Sequence, residues 1–164
     1  MKLSQGVEWA LHTCLNLGWI EEEGEGAAAP TARLAAFYDL PPAYLNKQLQ
    51  ALVRAGILSS TPGPRGGFRL ARRLDEITPL DIVVAIEGRA EAFECVQILR
   101  DGPGGDAATD YRSACLISQT MSKADLAWRN ALASETLADI RDRVVRTYSQ
   151  SPQATRDWFQ NARR

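Results

Sequence analysis

The sequence predicts a mainly α-helical fold carrying one small β-hairpin, and three observations lead there. Apolar residues recur at helical spacing through most of the chain. Two short β-prone runs flank a stretch of prolines and glycines. Hydrophobic residues make up 45% of the 164, enough for one buried core, and this length favours a single compact unit with an attached dimerisation element.

Leu3, Val7, Ala10, Leu11, Cys14 and Leu15 share one stripe, which predicts a first helix over about 3–17, broken by Gly18 and the Glu/Gly run after it. Pro30 marks the start of a second helix with a short buried face of Leu34, Ala35 and Tyr38, stopped by Asp39 and Pro41-Pro42. A third helix over 42–55 puts Leu45, Leu49, Leu52 and Val53 in its stripe and Asn46, Lys47, Gln48, Gln50 and Arg54 outside it, with Gly56 as its cap. Residues 57–60 and 67–70 read as strands, and the Thr61-Pro62-Gly63-Pro64-Arg65-Gly66 run between them demands a turn, so the hairpin has a basic tip.

Thr78-Pro79 opens a capped helix through Ile82, Val83 and Ile86 that ends near Gly88. Gly102 to Tyr111 reads as a mobile loop with Cys95 before it and Cys115 after it. Met121, Trp128, Leu137, Val144 and Tyr148 mark one long or kinked helix with little to pack against outside the first unit, which self-association explains. Trp158 and Phe159 mark a short helix in the tail. The whole is a winged helix-turn-helix followed by a long dimerisation helix.

A formal net charge of −1 argues against a nucleic-acid partner only if charge is spread evenly. From Thr31 to Arg73 the cations Arg33, Lys47, Arg54, Arg65, Arg69, Arg72 and Arg73 are set against Asp39 alone, a net +6, while acid collects elsewhere, as at Glu21, Glu22, Glu23 and Glu25. Lys2 is followed by a mixed stretch containing Gln5, Glu8 and His12, and no apolar run approaches the roughly 20 residues that span a bilayer, so a cytoplasmic protein with no membrane partner is expected. His12, the only histidine, has no nucleophile and orienting acid at a recognisable spacing, which argues against an enzyme.

A helix-turn-helix followed by a basic hairpin lays its second helix in the major groove and its wing along the DNA backbone. On that helix Tyr44, Asn46, Lys47 and Gln48 have reach and donors, since Asn and Gln pair bidentately with adenine and Lys addresses guanine or phosphate. In the wing, Arg65 stands between Pro64 and Gly66-Gly67 with no bulky neighbours, suited to entering the minor groove. A wing that bound proteins would need an apolar recognition face in place of Asn46, Lys47 and Gln48.

Tyr44-Leu45, Leu49, Leu52, Ala55-Gly56-Ile57-Leu58, Gly63-Pro64-Arg65-Gly66-Gly67-Phe68-Arg69-Leu70 and Ile77-Thr78-Pro79-Leu80-Asp81-Ile82 together resemble the Rrf2 (IscR-type) family of bacterial regulators, over nearly the whole chain. The resemblance implies a homodimer on a pseudo-palindromic operator of double-stranded DNA. It divides the chain into a DNA-binding domain (1–88), a sensor or cluster loop (89–118) and a dimerisation helix with C-terminal tail (119–164).

Within that family Gly6-Val7-Glu8-Trp9-Ala10-Leu11-His12 resembles the first helix of the RsrR-like branch, which implies Glu8 and His12 as ligands of a [2Fe-2S] cluster and Cys95 and Cys115 as the cysteine ligands. Glu8 and His12, four apart, share a helix face, and imidazole is a good ligand for iron. The chain departs from the usual three cysteines of cluster-holding members, with Tyr111 where another is expected, and mixed ligation departs from an all-thiolate set. Three cysteines at irregular spacing make no disulfide framework. Cys14, on the Val7/Leu11 stripe, reads as core. Without iron, Cys95 and Cys115 would serve as a thiol switch, flanked by Arg100 or Arg112. An iron-sulfur carrier would use the same ligands but would leave the basic helix-turn-helix without a purpose.

Overall fold

The computed structural model describes residues 2–21, 28–63, 66–89 and 91–161. Helix α1 (Gln5–Glu21) runs through Gly18, where the sequence predicts a break. A Cβ at Gly18 would stand 2.5 Å from Leu74 Cδ1, so the glycine lets a 3-10 turn, Leu74–Glu76, press against the helix. The missing side chain serves packing here and leaves the helix intact. Glu22, Glu23 and Glu25 lie outside the described residues.

Helices α2 (Thr31–Phe37) and α3 (Pro42–Arg54) are joined by a tight turn in which Asp39 takes the left-handed conformation, φ 52°, that a short polar side chain tolerates. Their apolar faces meet α1 at Leu34, Leu45, Leu49, Leu52, Ala10 and Cys14, all without solvent exposure. Burying one such leucine contributes about 2 kcal/mol, so this cluster holds the three helices in register.

Strands β1 (Leu58–Thr61) and β2 (Gly67–Leu70) pair antiparallel, Leu58 opposite Leu70 and Thr61 opposite Gly67. The first strand starts one residue later than predicted because the Ile57 amide donates to the Leu52 carbonyl, 3.0 Å, and closes α3. Ala29 adds a third edge, exchanging two backbone bonds of 2.9 Å with Phe68. That approach explains Gly67, whose φ is +150° and whose added Cβ would lie 2.4 Å from the Ala29 carbonyl carbon.

Helix α4 (Pro79–Glu87) opens with a capping box in which Thr78 Oγ1 accepts from the Asp81 amide and the Asp81 carboxylate accepts from the Thr78 amide. After a run of turns come the one-turn helix α5 (Tyr111–Ala114) and the long α6 (Leu116–Ala133). The long or kinked helix expected through Tyr148 is two separate helices. The chain stops at Ser134 and restarts as α7 (Leu137–Thr147) behind a second capping box, Thr136 with Asp139. The Leu137 amide donates to the Ile77 carbonyl at 2.8 Å and its side chain is fully buried, so α7 folds back onto the first unit.

Helix α8 (Ser151–Asn161) buries Phe159 in the same core and sets Trp158 edge-on to Phe37, ring centroids 5.0 Å apart. Arg33 spans both rings, at 5.7 and 5.6 Å, and donates to the Trp158 and Phe159 carbonyls. No helix among the described residues is long and apolar enough to cross a membrane.

Candidate nucleic-acid interface and sensor residues

The solvent side of α3 lies beside the hairpin and holds most of the predicted reading residues. Tyr44 is 65% exposed, and Asn46 and Lys47 are exposed as well. Gln48 is half-buried: its amide carbon would lie 2.7 Å from a Cβ added at Gly6, so it braces α3 against α1. Gly66 sits at the base of the wing turn, its amide donating to the Gly63 carbonyl at 2.9 Å, and a Cβ there would meet the Thr61 carbonyl oxygen. Pro64 and Arg65 lie outside the described residues.

Two neighbours were not singled out from the sequence. The Thr31 hydroxyl donates to Asn46 Oδ1 at 3.5 Å, a weak contact from the start of α2 that orients the amide. Arg69 is exposed on β2 opposite Ser59. Other cations of the basic segment are taken up by the fold. Arg33 is held by α8, Arg73 pairs with Asp75, and Arg72 reaches the Glu76 carbonyl and Asp81. Lys47, Arg54 and Arg69, together with the Asp75-paired Arg73, are its exposed basic side chains among the described residues.

Glu8 and His12 are exposed on one face of α1, one turn apart, beside a shallow cavity of about 350 Å³ formed with Leu3, Val7 and Leu11. The His12 ring lies 6.0 Å from that of Tyr38, whose hydroxyl accepts from Asn16 Nδ2 inside the core. Cys14 is completely buried, and burial pushes its thiol up to about 12, outweighing the nearby charge of Arg72. It is a core residue, as its stripe predicts.

Cys95 and Cys115 are both half-buried. Cys95 Sγ donates to the Tyr111 carbonyl at 3.7 Å, and the Cys115 amide donates to the same oxygen at 3.1 Å. Cys95 also lines a cavity of about 600 Å³ with Glu94 and Arg112. Tyr111, where a further cysteine was expected, offers its carbonyl to the Cys95 thiol, while the Cys115 bond is the backbone bond that closes α5. Among the described residues no three of His, Cys, Asp and Glu gather as a metal-holding group, so the Glu8/His12 and Cys95/Cys115 pairs do not assemble within one chain.

A tight helical turn, an exposed polar α3 and a three-edged wing define a winged helix-turn-helix of the DNA-binding regulator class. Residues 3–143 match the Rrf2 family, described as iron-dependent transcriptional regulator, and the chain belongs to that family as a DNA-binding transcriptional regulator. It is 30% identical over 148 residues to YwgB of Bacillus subtilis (strain 168), covering 90% of this chain and 89% of that one, and 31% identical over 149 residues to YffB of Lactococcus lactis subsp. lactis (strain IL1403), covering 91% and 92%. Both bear the name of HTH-type transcriptional regulators. The fold is similar to that of CymR, the global cysteine regulator of B. subtilis (TM-score 0.62, 22% identity, 87% of this chain and 98% of that one), and of T. potens IscR (TM-score 0.62, 22% identity, 90% and 91%). These relatives are regulators, and the chain is not an enzyme.

Proposed function

We propose that the chain acts as a homodimer on a pseudo-palindromic operator, with α3 in the major groove and the wing on the flanking backbone. The observation that carries this reading is the exposed row of Tyr44, Asn46 and Lys47 on a helix whose opposite face is wholly committed to the core. Arg69 on β2 and Arg65, in the sequence between the two strands, would supply phosphate and minor-groove contacts. Self-association is supported by α6, on which Leu116 and Ile117 are 75% and 67% exposed.

The sensor is proposed at Glu8, His12, Cys95 and Cys115, as in the RsrR-like branch. The donor set fits a [2Fe-2S] cluster in number and kind only when drawn from two chains, one giving Glu8 and His12 and its partner Cys95 and Cys115, because within one chain the pairs stay apart. Such a group would supply a one-electron redox change at the dimer interface. What this chain's own residues contribute is position: α1 sets Glu8 and His12 one turn apart, and the Tyr111 carbonyl accepts from the Cys95 thiol four residues before Cys115. His12 lies against Tyr38 at the end of α2, so a change at α1 has a short path to the helix-turn-helix. The Cys95 thiol, in a cavity shared with Arg112, also suits a second reading, in which Cys95 and Cys115 switch as thiols.

Anaerobic purification with iron and sulfide analysis, on the native protein and on His12→Ala, Cys95→Ala and Cys115→Ala, separates the two. Stoichiometric iron and sulfide lost in all three variants establishes the cluster; a colourless protein that still selects palindromic fragments leaves a regulator switched by thiols or by another signal. A protein that selects no DNA sinks the operator proposal.

A further inference from the structure

Glu21, the last residue of α1, reaches across to the wing. Its carboxylate accepts from the Leu70 amide at 2.8 Å, 49 positions along the chain. The alternation of β2 explains why that amide needs a partner. Backbone groups of successive residues in an antiparallel strand point to opposite edges, so with Phe68 bonded to Ala29 on the outer edge, the Leu70 amide points outward as well. Ala29 takes both backbone groups of Phe68 at 2.9 Å, and Glu21 takes the next amide along. Residues on either side of the connection between α1 and α2 thus fasten the outer edge of the wing, one through its backbone and one through a carboxylate.

Of the two fastenings, the one made by Glu21 adjoins the exposed cation of β2. Arg69 precedes Leu70 in the strand, and its charge is felt at Glu21, whose carboxyl is raised by burial against the opposing pull of the Leu70 amide and of Arg69. Glu21 gives its oxygen to the amide and leaves the Arg69 guanidinium exposed. We infer that Glu21 is a positioning residue for operator binding: its bond to the Leu70 amide fixes β2 so that Arg69 meets a phosphate beside the groove read by α3. The inference rests on the wing reading above and adds to it an acidic residue from outside the basic segment. Glu21 also ends the helix that carries Glu8 and His12, so a tilt of α1 reaches the wing through this bond.

The test is competition binding, over a range of salt, on a DNA fragment selected by the native protein, with Glu21→Ala, Glu21→Gln, Arg69→Ala and the Glu21→Ala/Arg69→Ala pair. Arg69→Ala should lower the slope of log affinity against log salt by about 0.9, the share of one phosphate. Glu21→Ala should weaken binding about tenfold, lower the slope by the same amount, and cost less than about twofold once Arg69 is gone. Glu21→Gln should bind as the native protein does or more tightly, because an amide oxygen accepts the same bond and a negative charge near Arg69 is removed. Hydrogen exchange at the Leu70 amide should be slow in the native and Gln proteins and faster in the Ala variant. A Gln variant as weak as the Ala one overturns the inference, and so does a Glu21→Ala cost that is the same with and without Arg69. Partial unfolding would lower affinity without changing the slope, so an unchanged slope in Glu21→Ala also overturns it. An unchanged slope in Arg69→Ala sinks the wing reading itself, and the role of Glu21 with it.

Discussion

The winged-helix unit and the stretch from 91 to 133 use apolar residues in opposite ways. In the first, Leu34, Leu45, Leu49, Leu52, Ile57 and Ile82 lose all solvent contact within the chain itself. In the second, Val96, Ile98, Leu99, Leu116 and Ile117 are at least half exposed, and Ser118 is the buried residue of α6. Short-range bonds hold the loop: the Asp106 carboxylate accepts from the Ala108 amide and the Thr109 hydroxyl, which hold its carboxyl below the usual range, and the Asp106 amide donates to Tyr111 Oη. One region is stabilised by its own core; the other holds its shape locally and leaves its apolar side chains exposed.

The sharpest way to break that contrast is to cut each region where it is most apolar. Leu49→Ala should lower unfolding free energy by about 2–5 kcal/mol in urea titrations, since a fully buried leucine leaves a cavity among packed helices. Leu116→Ser with Ile117→Ser should remove the dependence of the unfolding midpoint on protein concentration and shift the sedimenting species to a monomer. A large loss of monomer stability in that double variant would show that α6 is core after all. Next in size, Asn46→Ala should cost about 1–3 kcal/mol on a selected operator and relax base preference at one position, measured by competition binding. Thr136→Ala, which removes the hydroxyl of the capping box on α7, should cost about 1 kcal/mol in the same urea titration.

The smallest expected effect lies in the core and appears only in alkali. Burial raises Cys14 from 9.0 to about 12 and also raises Tyr38, so in both cases the unfolded chain ionises first. The stability they contribute is complete below pH 9 and is lost as pH climbs toward 12. Cys14→Ala should flatten the fall in unfolding free energy over that interval, and at neutral pH iodoacetamide should label Cys95 and Cys115 in the native protein but leave Cys14 untouched.

Much of the winged-helix unit was legible because its signals are local. Pro42 and Gly56 bracket α3, Thr78-Pro79 opens α4, and the Pro/Gly run marks the turn of the hairpin. Gly18 misled because a glycine that permits close packing and one that ends a helix look alike in sequence; Leu74, 56 positions away, decides between them. The division between α6 and α7 was readable in principle from Thr136 and Asp139, a capping pair three residues apart, but the continuing apolar stripe hid it. Among the site residues, Tyr44, Asn46 and Lys47 are exposed as helical periodicity implies, whereas Gln48 is drawn in by Gly6 of α1, which no pattern within α3 could reveal.

The sequence by itself determined the mainly helical class, the basic turn between two strands, the polar face of α3 and the burial of Cys14, because each depends on periodicity or on residues a few positions apart. Only the tertiary structure decided which cations stay free and which are consumed, as Arg33 is by α8. It also set the Cys95 thiol against the Tyr111 carbonyl and the Leu137 amide on the Ile77 carbonyl. Those outcomes depend on contacts between residues far apart in the chain, where burial and geometry set the partner and the local pattern is silent.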